Sequence, residues 1–371
     1  MKFSCEKSLL VAAISTASRA AAAKSAVPSL EGLLIEAYDL VTITGYDLKT
    51  GIRSSLSADI IEQGSLVINA RLFGDIIRKM PDDIVTISVN DSYLATIKCG
   101  MSEFSIMGMN SADYPELPSV DSLNSIYVKE KDIKAMIAET NFAVSDNEAR
   151  PIHTGALFEL NGDVLTVVAV DGYRLALRRE RISKAEVGEI SFVVPGSALA
   201  EVERIASDCD DDVKISVGSK HIMFTMDSNV LVSRRLEGEF LNYKNSIPQT
   251  SKYSIELSKK NLIEAVERVS LIISDKFKSP VRCQFGENVL TLSTHTTLGK
   301  AYDECEVKGD GEGLEIGFNN RYILDALKAA PADNVRMQLS TGIAPCVIVP
   351  TDTNKNFLYM ILPVRLRANE G

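Results

Sequence analysis

The chain has no tryptophan, three histidines and six cysteines among 371 residues. Each scarcity excludes a class of function. The cysteines stand at 5, 99, 209, 283, 305 and 346 and never form Cys-x-x-Cys. Together with three scattered histidines they supply no metal-ligand cluster. They read as reduced, buried thiols of a cytosolic protein. No run of 18 apolar residues occurs, so no membrane-spanning helix is expected. The N-terminus lacks a basic segment leading into an apolar one, and Ala20-Ala21-Ala22-Ala23 reads as the end of an amphipathic helix, not as a cleavage site. His153, His221 and His295 have no evident Ser or Cys partner, so nothing supports nucleophilic catalysis. Lys308-Gly309-Asp310-Gly311-Glu312-Gly313 has the glycines of a phosphate loop but no closing Lys-Ser/Thr; it is acidic, opens no helix and is expected to be a plain loop. The net charge of −10, taken alone, argues against nucleic acid as a partner.

What is present is a pattern written three times. Phe3-Ser4-Cys5-Glu6, Tyr127-Val128-Lys129-Glu130 and Tyr253-Ser254-Ile255-Glu256 each run from alternation into an apolar helical spacing. Val85-Thr86-Ile87-Ser88-Val89 is matched by Val213-Lys214-Ile215-Ser216-Val217 and Val335-Arg336-Met337-Gln338-Leu339, each behind an acidic or amide turn. Val41-Thr42-Ile43, Leu165-Thr166-Val167 and Leu290-Thr291-Leu292 recur at the same interval of about 124 residues. Repetition at this scale points to a molecule assembled from copies.

Each copy reads as strand, helix, several strands, helix, several strands. The predicted class is α+β, with antiparallel sheets built from hairpins. Helices are expected over 6–24, 69–80, 130–140, 198–206, 258–268 and 319–328, with Asn69 and Ser258 as N-caps and Pro81 as a stop. These six carry fourteen Lys and Arg against ten acids, so the acidity of the chain lies in its strands and loops. The excess is also what plain helix propensity would give. Two chains would set twelve helices in a ring. At about 10 Å between axes the axis circle is about 38 Å across, leaving a hole of roughly 28 Å. Duplex DNA, roughly 20 Å wide, would pass through it, held by phosphate-directed attraction that reads no bases.

Over residues 1–366 the sequence resembles the bacterial β sliding clamp family, the DNA polymerase III β subunits. The resemblance rests on Met1-Lys2-Phe3, Thr44-Gly45-Tyr46-Asp47-Leu48, Ala112-Asp113-Tyr114-Pro115, Val170-Asp171-Gly172-Tyr173-Arg174-Leu175-Ala176, Asp275-Lys276-Phe277-Lys278, Ile316-Gly317-Phe318-Asn319 and Leu362-Pro363-Val364-Arg365-Leu366, in that order. It implies three similar clamp domains, at 1–118, 125–246 and 252–366, with 367–371 as a flexible tail. It also implies a head-to-tail dimeric ring, a binding function without catalysis, and no cofactor or metal. The implied partners are double-stranded DNA without sequence preference, a second copy of the chain, the replicative polymerase, a clamp loader and other clamp-motif proteins, in the cytoplasm at the nucleoid, with no membrane.

Carried over by the resemblance, a peptide-binding groove would be lined by His153, Gly172, Tyr173, Arg174, Leu175, Leu241, Asn245, Ile343, Pro345, Met360, Ile361, Leu362, Pro363, Val364, Arg365 and Leu366. Lys24, Arg71, Arg78 and Arg150 would face DNA. Phe104 and Ile106 would meet Leu271 and Ile272 of another copy at the dimer seam. Tyr173 stands where relatives often have His, His153 where an apolar residue is common, Leu241 and Asn245 where Pro and Arg are frequent, and Gly196 where a basic side chain is frequent. Two other readings stay open: a β-rich peptide-binding scaffold that never touches DNA, and a hydrolase using Asp171 and a nearby histidine. Asp171-Gly172 is in any case a strong hairpin-turn signal.

Overall fold

The structure is a computed structural model that describes residues 1–120, 124–274, 279–352 and 356–366. The first copy of the pattern comprises β1 (Lys2–Glu6), α1 (Lys7–Ala17), β2 (Gly32–Ala37), β3 (Val41–Tyr46), β4 (Thr50–Leu56), β5 (Asp59–Glu62), β6 (Gly64–Asn69), α2 (Ala70–Lys79), β7 (Ile84–Val89), β8 (Leu94–Cys99) and β9 (Ser102–Met107). The second repeats that order: β10 (Ser125–Lys129), α3 (Glu130–Ala138), β11 (Gly155–Asn161), β12 (Val164–Val170), β13 (Arg174–Arg181), β14 (Lys184–Ala185), β15 (Glu189–Pro195), α4 (Gly196–Ile205), β16 (Asp212–Val217), β17 (His221–Met226) and β18 (Asn229–Arg234). The third holds β19 (Tyr253–Ser258), α5 (Lys259–Ser270), β20 (Val281–Thr296), β21 (Gly299–Phe318), α6 (Asn320–Ala329), β22 (Asn334–Leu339), β23 (Cys346–Pro350) and β24 (Phe357–Ile361). There β20 and β21 do the work of five shorter strands.

The repeated sequence pattern has a structural counterpart. The strand that opens each copy pairs antiparallel with the strand behind the acidic turn: β1 with β7, β10 with β16, and β19 with β22. The described strand pairs are all antiparallel, as hairpin-built sheets require.

The chain's contacts gather into two compact units. One comprises Met1–Lys134, Ile182–Val187 and Ser197–Arg235. It holds a five-stranded sheet, β5-β1-β7-β8-β9, and a nine-stranded sheet, β14-β10-β16-β17-β18-β4-β3-β2-β6. The larger sheet runs through two copies, because β18 of the second pairs with β4 of the first. Leu10, Ala13, Ile14 and Ala17 of α1, with Phe73, Ile76 and Ile77 of α2, bury their apolar stripe against Phe3, Ile35, Ile43, Val85 and Ile97. Each large side chain so buried contributes about 1.5–3 kcal/mol. The other unit comprises Ala135–Arg181, Gly188–Gly196 and Leu236–Gly371. Its ten-stranded sheet, β15-β11-β12-β13-β24-β23-β22-β19-β21-β20, joins the second and third copies through β13 and β24.

Two expectations are corrected. The first helix does not reach residue 24: α1 ends at Ala17, a 3-10 turn covers Ser18–Ala20, and Ala21 is extended at φ −70, ψ 136. The alanines favour helix, but tertiary contact prevails. The end of α1 presses on Gly45, where a Cβ would lie 2.1 Å from the Ala17 carbonyl oxygen, and the Ala22 N–H turns away to Leu30 O at 2.9 Å. The 308–313 segment is strand, not loop, lying inside β21. Its glycines bend that strand. Gly309 and Gly313 take φ +125 and +74, and Gly311 passes so close to Phe285 that a Cβ would meet its Cβ at 2.3 Å. The expected caps are present: Asn69 Oδ1 accepts the Leu72 N–H at 3.0 Å, and Ser258 Oγ accepts that of Asn261 at 3.4 Å.

Candidate binding site

The turn between β12 and β13 organises the site. Asp171 Oδ1 accepts the N–H groups of Tyr173 (2.8 Å) and Arg174 (2.9 Å), and Gly172 takes φ +93 to close the turn. The Asp171-Gly172 turn signal is thus a turn in the structure. Arg174 then points inward. Its Nε donates to Asp171 Oδ2 at 2.9 Å, its Nη1 to Asp325 Oδ2 at 2.6 Å and its Nη2 to Phe142 O at 2.7 Å. Its guanidinium lies 4.6 Å from the Tyr322 ring centroid, and Tyr322 in turn stacks on Tyr173 with centroids 6.0 Å apart. Arg174 is thus a strut that fixes an exposed tyrosine rather than an open contact.

Next to this turn, β13, β24 and β23 converge. Leu175 pairs with Met360, and Met360 with Val347. These three, with Leu157, Val168, Val170, Leu177, Val193 and Tyr243, form a buried apolar bed on which Ile152, Leu236, Phe240 and Ile247 pack. Beyond Ile361 the chain leaves the sheet. Leu362 N–H donates to Tyr173 O and Val364 N–H to Gly317 O, both at 2.8 Å. Gly317 is needed there, since a Cβ would sit 2.7 Å from Leu366 Cδ2.

Beside the bed lies an open cleft of about 430 Å³ lined by Arg150, Ile152, His153, Glu239, Phe240, Leu241 and Asn242. The His153 ring meets Phe240 edge-on at 5.5 Å. Burial, and then the charge of Arg150, hold His153 below the usual histidine range.

The sixteen expected groove residues fall into three groups. Arg174, Leu175, Met360 and Ile361 are buried. His153, Pro345, Pro363 and Leu366 are half-buried. Gly172, Tyr173, Leu241, Asn245, Ile343, Leu362, Val364 and Arg365 are exposed. Asn245 lies on the 3-10 turn Tyr243–Asn245. Sequence reading missed Tyr322, Phe240, Phe142 and Asp325. Tyr322 follows the Asn319 cap by one turn and was within reach; a contact made by Phe142 through its carbonyl leaves no mark in sequence.

The other expected residues are placed as follows. Lys24 and Arg71 are exposed, and Arg78 pairs with Asp75 at 2.5 Å. Arg150 is exposed at the cleft rim. Phe104 and Ile106 lie on β9, an edge strand; Phe104 is 43% exposed. Leu271, at the end of α5, is 84% exposed. The 275–278 motif and the 367–371 tail lie outside the described residues.

Asp171, the candidate hydrolytic carboxylate, is consumed by three hydrogen bonds that hold its own turn. Among the described residues no group of three His, Cys, Asp or Glu side chains is placed to hold a metal, and no helix is long and apolar enough to cross a membrane. All six thiols are free and five are buried; burial pushes those of Cys5 and Cys305 up to about 11, which keeps them protonated and inert.

Three copies of one helix-and-sheet pattern, with a buried apolar bed beside an exposed tyrosine turn, define a multi-domain protein of repeated build. Family models of the DNA polymerase III beta subunit match it throughout: the N-terminal domain over residues 1–118, the central domain over 127–242 and the C-terminal domain over 244–365. The beta sliding clamp of Bacillus subtilis is 31% identical over 377 residues, covering 98% of this chain and 100% of that one. That of Halalkalibacterium halodurans is 30% identical over 380 residues, with the same coverage. The solved sliding clamp from Bacillus subtilis superposes with a TM-score of 0.93 at 30% identity, and that from Pseudomonas aeruginosa bound to griselimycin with 0.94 at 25%, each covering 99% of this chain and 100% of its own. The chain belongs to the DNA polymerase III beta subunit family, the beta sliding clamps. Membership makes it a clamp and not an enzyme, and the hydrolase alternative is set aside.

Proposed function

We propose that two copies of this chain close head to tail into a ring around duplex DNA, and that the ring tethers the replicative polymerase and other clamp-motif proteins through the groove at Tyr173, Met360 and Leu362. Support comes first from the full set of three clamp domains, which we place at 1–118, 125–246 and 252–366. The observation that carries the ring is the open edge of β9. It presents unpaired backbone groups and the exposed side chains Phe104 and Met107 (68% exposed). Such an edge invites pairing with another chain. Leu271 supplies an apolar counterpart, with Ile272 beside it.

Lys24, Arg71, Arg78 and Arg150 are assigned to DNA. Contacts of this kind are electrostatic and interchangeable, so axial movement costs little while escape requires opening a seam. Opening by a loader would draw on ATP bound elsewhere. The work is that of replication, in the cytoplasm at the nucleoid. Groove clients would place apolar side chains on the bed around Leu175, Val347 and Met360, with polar groups at the rim fixing register. The test is retention on DNA: loaded protein should stay on nicked circles and slide off linear molecules. Equal loss from both rejects encirclement.

A further inference from the structure

The ends of β4, β17 and β18 gather four cations on the nine-stranded sheet. His221 and Arg234 face each other across β17 and β18. Arg234 N–H donates to Lys49 O, and Arg235 N–H to Lys220 O, both at 3.0 Å. Lys49, Lys220, Arg234 and Arg235 therefore occupy neighbouring rungs. Lys49, Lys220 and Arg234 are exposed, and Arg235 is half-buried with Nη1 on Gly218 O at 3.4 Å. None of the four has a carboxylate partner among the described residues. Elsewhere in the same unit Lys98, Lys129, Lys131 and Lys134 each pair with an acid. The acid at hand is Asp47, whose Oδ1 is taken by the N–H groups of Lys49 (2.8 Å) and Thr50 (2.6 Å). His221 registers the surplus: burial, then Arg234 and Lys220, hold it below the usual histidine range.

Leu48, next to Lys49 in the Asp47 turn, is 52% exposed. Its φ is +72, a left-handed conformation that leucine rarely adopts. The Asp47 turn thus holds an apolar side chain out to solvent beside Lys49.

We propose that this end of the sheet docks an acidic peptide segment of a partner protein, its carboxylates on Lys49, Lys220, Arg234 and Arg235 and an apolar side chain against Leu48. Charge complementarity selects the acid: on a chain of net charge −10, Arg234 opposite Lys49 and Arg235 opposite Lys220 bring four cations without carboxylate partners among the described residues to one end of the sheet. Leu48 selects peptide over nucleic acid, because a phosphodiester backbone offers it little apolar surface. The surface is independent of the groove and of DNA encirclement.

The probe is a fluorescent ten-residue peptide of glutamates flanking two leucines, titrated with the full chain by anisotropy; oligothymidylate of ten nucleotides serves as the competitor. Saturable peptide binding is expected. Lys49→Glu with Arg234→Glu should weaken it at least about tenfold. Leu48→Gly suits the positive φ, keeps the fold, and should weaken it several-fold. Bound peptide should also move the His221 titration, followed by NMR, to higher pH. Absence of saturable binding, or full affinity in Leu48→Gly, overturns the proposal. Tighter oligothymidylate binding that displaces the peptide and is lost on charge reversal also overturns it and gives the patch to nucleic acid. Retention of the charge-reversed protein on nicked circular DNA should be unchanged, so a failure here is distinct from a failure of the clamp reading.

Discussion

Arg174 and Asp325 stand 151 residues apart in sequence and 2.6 Å apart in space. The pair ties the β12–β13 turn of the second clamp domain to α6 of the third, and its side chains are 7% and 31% exposed. Arg174 is thereby satisfied at every nitrogen position, which holds Tyr173 and Tyr322 in their stack. Removing Asp325 takes the partner of Nη1 from a largely buried guanidinium that keeps Asp171 and Phe142 O. Asp325→Ala should cost about 1–3 kcal/mol, measured by urea unfolding. It should also weaken client-peptide binding by loosening the Tyr173–Tyr322 stack that Arg174 supports. Unchanged stability and affinity together would show that the strut is redundant.

The peptide groove is best tested by a stop after Ile361. Removing residues from Met360 onward would cut into β24, where Met360 and Ile361 pair with Leu175 and Arg174. A chain ending at Ile361 keeps that strand and loses two backbone hydrogen bonds, costing about 0.5–1.5 kcal/mol each. Binding of a short Gln- and Leu-bearing peptide should vanish while the dimer persists. Undiminished affinity in isothermal titration rejects the groove.

The seam prediction uses Leu271, which the single chain leaves exposed, and Ile272, half-buried beside it. Leu271→Ala with Ile272→Ala should yield monomers in sedimentation, with a loss of about 2–5 kcal/mol for each side chain that the dimer buries. Because Leu271 is 84% exposed in the isolated chain, the fold should be unaffected. A persistent dimer moves the seam elsewhere.

Charge reversal at Lys24 and Arg71 addresses the DNA assignment. Both side chains are exposed, so Lys24→Glu with Arg71→Glu should leave folding intact. The dwell time on nicked circular DNA should shorten and the salt dependence of retention should flatten. Wild-type dwell times across a salt series would assign the DNA contact to other residues.

The pH dependence of stability has a definite sign. His153 and His221 are both held below the usual histidine range by burial and by neighbouring Arg and Lys. The unfolded chain, with ordinary values near about 6.5, then binds protons more readily than the folded one, so stability rises with pH. The contribution is complete above the ordinary histidine value and fades as pH falls below it. The urea midpoint should be lower at about pH 5.5 than at about pH 7.5, and His153→Phe with His221→Gln should flatten part of that slope. A midpoint that climbs on acidification contradicts this account.

The sequence by itself determined the threefold repeat, the six helices, the caps at Asn69 and Ser258 and the antiparallel class. All of these follow from short-range causes: periodicity, capping chemistry and turn residues recur locally wherever the same unit is written. The motif around Gly172 and Tyr173 was legible for the same reason. Tertiary structure alone decided the rest. It ended α1 at Ala17 because Gly45 lets the helix end approach too closely for the chain to continue. It kept the 308–313 glycines inside a strand because β20 pairs with β21 across them. It made Arg174 a buried strut under the Tyr173 turn, since its partners Phe142 and Asp325 come from distant segments. It also merged strands of neighbouring copies into continuous sheets through β18 with β4 and β13 with β24. Backbone hydrogen bonding between edges depends on position in space, not on residue identity, and for that reason a sequence does not spell it out.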